Sequence, residues 1–557
     1  MIKRFLAPAA LAAAILPATV ALAAPPVKPI GLKLLGTYEQ PNAEDAFDES
    51  AAEISSYDPG SERLFVTNGA KGTIDLLDLS NPSMPSLMFQ IPVSGEIGSN
   101  GFMGGGANSV AVYEGLVAVA IEADTVTDPG AVAFYDVDGN FLNLVMVGAL
   151  PDMLTYTRNG NYVLVANEGE PDNDVDPEGS VSVIDMREGA AGASVRHATF
   201  EMFEDKADEL KNAGVRLFPE VMDGSLTVSQ DLEPEYLAAD QRGKIALVAL
   251  QEANSVAVLD IRRAKITAIL PLGTKDHSVF GNGLDPSDRD SGININEWPL
   301  KGMFMPDAIA SYQVRGKTYY VTANEGDDRG DADEDERGDA VRFKDIEDVV
   351  SFGRSGLTAS EDLQVEIGNG LQDDEQLGRL NISTIDGLDD NGDLDELFSY
   401  GARSFTIWDS SGNLVWDSGN QLEQLTASLY PDNFNASNDT NEFENRSDNK
   451  GPEPEAVTIA KLFGRTFAFI GLERIGGVAV YDIGNPRSPE YVTYINNRDF
   501  QATDEDLEMG MGLDLGPESV VIIERGDSPN GEPLMVVANE VSGTVSVFEI
   551  SQVKKNK

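Results

Sequence analysis

Short runs of alternating apolar and β-branched residues recur along the chain, each ending on an amide or an acid: residues 64–68, 117–122, 163–168, 246–252, 320–325, 469–473 and 536–540. This two-residue period predicts strands. After most of them comes a tight Gly, Ser or Asn turn and a second run of the same kind, as at 73–78, 180–185, 255–260, 477–482 and 544–549. A strand is also predicted before each run, opening on Glu53, Asn108, Asp152, Glu235, Asp307, Glu455 and Glu518 in turn. An outer strand follows in the first six units, for example 87–93 and 265–272.

A unit of about 45 residues with four strands is the blade of a β-propeller. The seventh unit ends near Ile550 without room for its outer strand, whereas residues 32–38 have no other partner. Pairing the two completes the last blade and removes the exposed edges of an open sheet. The expected fold is therefore all-β, a seven-bladed propeller closed by an N-terminal strand over residues 32–550. The competing architecture for this pattern is a β-sandwich or two separate β domains. Two insertions interrupt the period, at about 187–231, with a helical pattern near 206–213, and at about 326–402.

The N-terminus changes the picture of where this fold resides. Lys3 and Arg4 precede an apolar run over 5–20 and the small-x-small sequence Ala21-Leu22-Ala23, the layout of a signal peptide over 1–23. No second such run appears, so no transmembrane segment is expected, and residues 551–557 form a short basic tail. The mature protein is expected to be exported, periplasmic or secreted.

Charge narrows the partners. Ninety-four acidic residues against forty basic ones leave a net charge of -54, which argues against nucleic acid and favours cations. With no cysteine and two histidines, a closed zinc site is nearly excluded. In a propeller, equivalent residues of successive blades form rings round the axis. The first-strand openings give one ring, with Glu53, Asp152, Glu235, Asp307, Glu455 and Glu518 as its carboxylates. The second-strand ends give another: Asn68, Glu122, Glu168, Glu252, Glu325, Glu473 and Glu540. Antiparallel pairing puts both rings on one face, where mutual repulsion raises carboxylate pKa values unless hard divalent cations, chiefly calcium, neutralise them. Simple turn capping or pairing with arginine is the alternative for any one of these residues.

Three further segments carry candidate chemistry. Asp389, Asn391, Asp393 and Asp395 space oxygen ligands at alternate positions, as calcium loops do, although Leu394 stands where an EF-hand has glycine. Residues 276–296 supply Asp276, His277, Asp285, Asp288, Asp290, Asn294 and Asn296. Arg446 and Lys450 are candidate contacts for an anionic substrate group held by the metals, with pairing to nearby carboxylates as the alternative.

Several of these segments resemble the choice-of-anchor I family: Ala166-Asn167-Glu168-Gly169-Glu170-Pro171, Met305-Pro306-Asp307-Ala308-Ile309, Thr322-Ala323-Asn324-Glu325-Gly326-Asp327, Lys450-Gly451-Pro452-Glu453-Pro454-Glu455 and Val537-Ala538-Asn539-Glu540. The resemblance runs over about residues 32–550. It implies an extracellular propeller related to the WD40-like and YVTN types, some of whose members are labelled alkaline phosphatase or mesenchyme-specific cell surface glycoprotein. It supplies no catalytic residues. The acidic mouth is also similar in architecture to calcium-dependent phytase propellers. Two functions follow as expectations: a calcium-dependent phosphoesterase acting on a phosphorylated small molecule, or a non-catalytic, calcium-stabilised adhesion module of the cell envelope that binds a cell-surface ligand.

Overall fold

The computed structural model describes residues 30–553, apart from 99–100, 174, 331, 333–337, 348–349 and 353. The expected signal peptide and the last four residues of the basic tail lie outside the described residues. Secondary structure is almost entirely β. Seven antiparallel sheets of four or five strands follow one another along the chain. They span residues 55–92, 95–149, 151–199, 234–271, 309–417, 454–495 and 517–552.

In each sheet the second and third strands are buried on both faces, which is why they read as unbroken small and branched apolar runs such as Val117-Ala118-Val119-Ala120-Ile121. The core is divided among the gaps between neighbouring sheets. Phe65, Ile74 and Leu76 of the first sheet meet Val117, Val119 and Ile121 of the second. At the other end Leu64, Val66 and Leu77 meet Leu534, Val536 and Val547 of the seventh.

The first strands touch in sequence. Ser55–Asp58 lies against Phe102–Tyr113, and the contacts continue through Pro151–Tyr156, Pro234–Ala239, Ile309–Val314, Pro454–Leu462 and Pro517–Ile523, which packs back on Ser55–Asp58. Serine hydroxyls tie neighbours together: Ser519 Oγ accepts from Ser55 N at 3.1 Å, and Ser109 Oγ from Leu154 N at 3.2 Å. The N-terminal strand Ile30–Tyr38 is the outer strand of the seventh sheet. It runs antiparallel to Thr544–Gln552, with Leu32 opposite Ile550.

The insertions differ in detail from expectation. Ser194–Thr199, inside the span 187–231, is the outer strand of the third sheet, so the insertion proper begins at about residue 200. It carries the helices Ala207–Ala213, Pro219–Asp223 and Val228–Asp231. The long insertion between Asn324 and Ser404 packs on residues 274–303, with Leu300–Met303 parallel to Leu397–Ser399. These segments share a core of their own around Leu284, Phe343, Leu377, Leu380, Ile382 and Leu394. Arg329 joins the two insertions: its guanidinium lies 3.9 Å from the Phe218 ring centroid and donates to Glu233 at 2.8 Å.

Both insertions leave the sheets where second or fourth strands end, the level at which the first strands begin. They therefore rise from the face that carries the acidic strand openings. No helix among the described residues is long and apolar enough to cross a membrane.

Candidate metal-binding mouth

Four of the acidic openings follow a proline whose backbone pairs with the end of the second strand: Pro151 with Asn167, Pro234 with Leu250, Pro454 with Leu472 and Pro517 with Asn539. Proline has no N–H to give to the ladder, and in each case the register shifts immediately afterwards. Such a bulge re-aims the residue within it. Here it turns Asp152, Glu235, Glu455 and Glu518 out of the sheets and sets them level with Glu168, Gln251, Glu473 and Glu540.

The result is one cavity of about 290 Å³ lined by Glu53, Asp152, Glu168, Glu235, Asp307, Glu325, Glu455, Glu518 and Glu540. Nine of the twelve carboxylates expected at the two sets of strand ends reach it, with Asn108, Gln251 and Tyr236; Glu122, Glu252 and Glu473 are not among its lining, Gln251 standing where Glu252 was expected, and no basic residue lines it. Glu325, Glu455 and Glu473 bring one oxygen each within 4.8 Å of one another. Buried oxygens on Glu235, Glu252, Glu455 and Glu473 have no hydrogen-bond partner.

Burial pushes these acids up, and their neighbours' charges add to it. Glu53, Asp152 and Glu540 rise to about 7 and Glu473 to about 8. Glu168, Glu235, Asp307, Glu455 and Glu518 stand well above the carboxylate range. So many carboxylates cannot all ionise in one enclosed space without a counter-charge. The donor set is all oxygen, which suits a hard cation such as calcium, and the nine lining carboxylates are the residues that would hold it.

The repeated asparagine one position earlier has a different task. Asn167 donates to Ser180 and Ser182, Asn324 to Ser404 and Thr406, and Asn539 to Thr544, stitching second strands to third. Asn68 occupies this position, with its side chain on Asp75 and the Lys71 amide. It is therefore a staple rather than a ring member.

For two other candidate groups the structure shows the competing arrangement. Arg446 and Lys450 are not free to meet a substrate anion. Arg446 donates to Glu453 at 2.8 Å and 3.0 Å, and Lys450 Nζ donates to Glu325 at 3.0 Å and to the Gly326 carbonyl at 2.6 Å. Glu453 is wholly buried and also receives Arg474 at 2.8 Å. Burial alone pushes its pKa up, but Lys450, Arg446 and Arg474 outweigh that and hold it far below the usual range.

The loop of Asp389, Asn391, Asp393 and Asp395 stands apart from the mouth. Asp389 accepts the amides of Asn391 at 2.7 Å and Asp393 at 3.0 Å, closing its own turn. Leu394 is buried in the insertion's core, and among the described residues this loop is not one where three acids converge. Sequence reasoning missed Glu453 and Arg474, because their importance comes from a charge cluster that only the tertiary structure assembles.

Among curated proteins, the chain is 32% identical to Gigasin-3a of Magallana gigas over 189 residues, which are 32% of this chain and 66% of that protein. It is 27% identical to the mesenchyme-specific cell surface glycoprotein of Strongylocentrotus purpuratus over 346 residues, 58% of this chain and 44% of that one. The chain thus spans less than two thirds of either relative. Among solved structures it is similar to Kuenenia stuttgartiensis hydrazine synthase (TM-score 0.44, 14% identity, 91% of this chain and 97% of that chain). It is similar also to the Cps50 (Swd1) β-propeller domain of Myceliophteria thermophila (TM-score 0.43, 7% identity, 94% of this chain and 100% of that chain). The sequence model of the choice-of-anchor I domain matches residues 53–486, a shorter span than the 32–550 expected, and this chain belongs to the choice-of-anchor I family.

Proposed function

We propose that the protein is an extracellular, calcium-loaded β-propeller that serves as a binding or adhesion module at a cell surface. In this reading the seven sheets are the blades of a closed ring and the acidic cavity is its mouth. The unbroken sequence of first-strand contacts and the pairing of Ile30–Tyr38 with the final strand support closure. One observation carries the functional reading: nine carboxylates line a single cavity with no base among its lining, and buried oxygens of Glu235 and Glu455 lack partners. The name of the mesenchyme-specific cell surface glycoprotein supports the surface location.

The test compares the wild type with Glu235→Gln/Glu455→Gln. Calcium at a hundredfold excess over its dissociation constant stabilises the folded state by about 2.7 kcal/mol. The melting temperature should therefore rise sharply with calcium in the wild type and much less in the variant. A wild-type melting temperature that is the same in calcium and in EDTA defeats the proposal.

Calcium-dependent phosphoester hydrolysis is a second reading, favoured by the cavity volume, which leaves room for a small anion beside bound ions. Against it, Arg446 and Lys450 are held by carboxylates. Turnover of a generic phosphomonoester that requires calcium and is lost in Glu235→Gln/Glu455→Gln would establish it.

A further inference from the structure

Outside the mouth, Asp285, Asp290 and Glu444 bring one carboxylate oxygen each within 4.8 Å of one another. They come from two segments far apart in sequence. Asp285 and Asp290 belong to the stretch that underlies the long insertion, and Glu444 to the turn that leads to Glu453 and the sixth sheet. Glu444 is 1% exposed, and its Oε1 has no hydrogen-bond partner; Asp290 Oδ2 is also buried without one. The other oxygens of the two aspartates are used in building the loop. Asp285 accepts from Asn294 N, and Asp290 Oδ1 accepts from Gly292 N at 3.1 Å. This leaves a buried carboxylate aimed at two others, with a donor set made only of oxygen.

The surroundings hold the cluster in place without neutralising it. Arg403, a buried cation beside the cluster, spends its guanidinium elsewhere: it donates to the Asp285 carbonyl, to Glu423, and to the Ser447 and Asn449 carbonyls, each at 2.7 Å. Arg379 is occupied by Asp288 and Asp448. Three carboxylates at this spacing repel one another, and burial strengthens the repulsion. A cation of calcium's size and hardness removes it while filling the vacant oxygens.

We propose that Asp285, Asp290 and Glu444 form a second calcium site, distinct from the mouth, that pins the 444–453 turn to the base of the long insertion. The turn carries Lys450 and Glu453, so an ion here also fixes the Lys450–Glu325 ion pair behind the mouth's lining. Glu444 N and Arg446 N already bond to Phe434 O and Asn435 O at 2.8 Å each, so the ion would act on a turn with a defined path.

Trp298 provides a local probe, since its Nε1 donates to Leu284 O at 3.0 Å, one residue from Asp285. Terbium is added to the full chain stripped of metal, and its emission is excited through tryptophan. The proposal expects wild-type emission that calcium displaces. Glu444→Gln/Asp290→Asn and Trp298→Phe should each abolish most of it, whereas the mouth variant Glu455→Gln should retain it. Trp298→Phe leaves the carboxylates intact, so the assay stands even if the double variant fails to fold. Absence of tryptophan-excited emission in the wild type, or its persistence in Trp298→Phe or in a folded double variant, overturns the proposal. So does a cluster that is stabilised by acid and indifferent to calcium, because three acids can also share protons. Loss of emission in Glu455→Gln alone would assign the signal to the mouth and likewise overturn the second site, without touching the proposal for the mouth itself.

Discussion

Glu453 has no solvent exposure and accepts hydrogen bonds from Arg446 and Arg474, with Lys450 at 3.6 Å. Removing one partner of a buried charge cluster leaves the others uncompensated, at a cost of about 3–5 kcal/mol. Glu453→Gln should lower stability by that order in denaturant melts, and more than Glu453→Gln/Arg474→Gln, which restores part of the balance. The ring acids behave in the opposite sense. Their pKa values are raised from the ordinary 4.5 or 3.8 to about 7 for Glu53, Asp152 and Glu540 and to about 8 for Glu473. Between those limits the folded state binds more protons than the unfolded one, so metal-free stability must fall as pH rises from about 4.5 to about 8. Calcium binds the ionised form, so its stabilising effect should grow over the same interval. Melting curves at pH 5 and pH 8, each in EDTA and in calcium, check both slopes. The ring positions could be read from sequence because a proline–acid pair recurs at a fixed place in the repeat. Glu444 could not, since nothing in its spacing relates it to Asp285 or Asp290, and only the folding of two separate excursions brings them together.

At the scale of elements, the long insertion is rooted at Gly326 and Gly401. Both have positive φ, +91° and +69°, and a Cβ on Gly401 would lie 2.0 Å from the Glu325 carbonyl oxygen. Gly401→Ala should therefore force the two ends of the insertion apart, and its loss of stability should exceed the ~1 kcal/mol that the same exchange adds where the backbone accepts a Cβ. Limited proteolysis within 326–402 should show it as faster cleavage. The strand Ile30–Tyr38 offers a complementary test. A chain beginning at residue 39 would leave Thr544–Gln552 as an uncovered edge; size-exclusion chromatography should show it associating where the longer chain does not. The paired strands were legible because their second and third members are apolar throughout. The place of the third unit's outer strand, Ser194–Thr199, was not: with residues such as Arg196 and His197 it lacks the apolar signal on which the repeat is recognised, and its span was counted within the insertion. The insertion's own core was hidden for another reason: Leu284 and Leu300 lie upstream of the fifth sheet's first two strands, which separate them from the segment they pack against.

For the whole molecule, a net charge of -54 means that folding draws like charges together. Monovalent salt screens exposed charges, with a Debye length of about 10 Å at 0.1 M, but reaches enclosed ones far less. Sodium chloride should thus raise the melting temperature modestly and nearly equally in the wild type and in Glu235→Gln/Glu455→Gln. Millimolar calcium should separate the two. Equal responses to calcium in both proteins would place its effect on the general surface rather than in the mouth.

Beneath the acidic cavity lies a second space of about 730 Å³, lined by Thr155, Ala238, Ser311, Thr458 and other residues of the first strands. Met153 and Tyr236 border both spaces. These two side chains stand where the acidic well adjoins the space beneath it. Exchange through them can be measured: Tyr236→Ala should speed calcium release from the well in a stopped-flow chelator assay, and an unchanged rate would leave the side of the insertions as the route by which the well fills and empties.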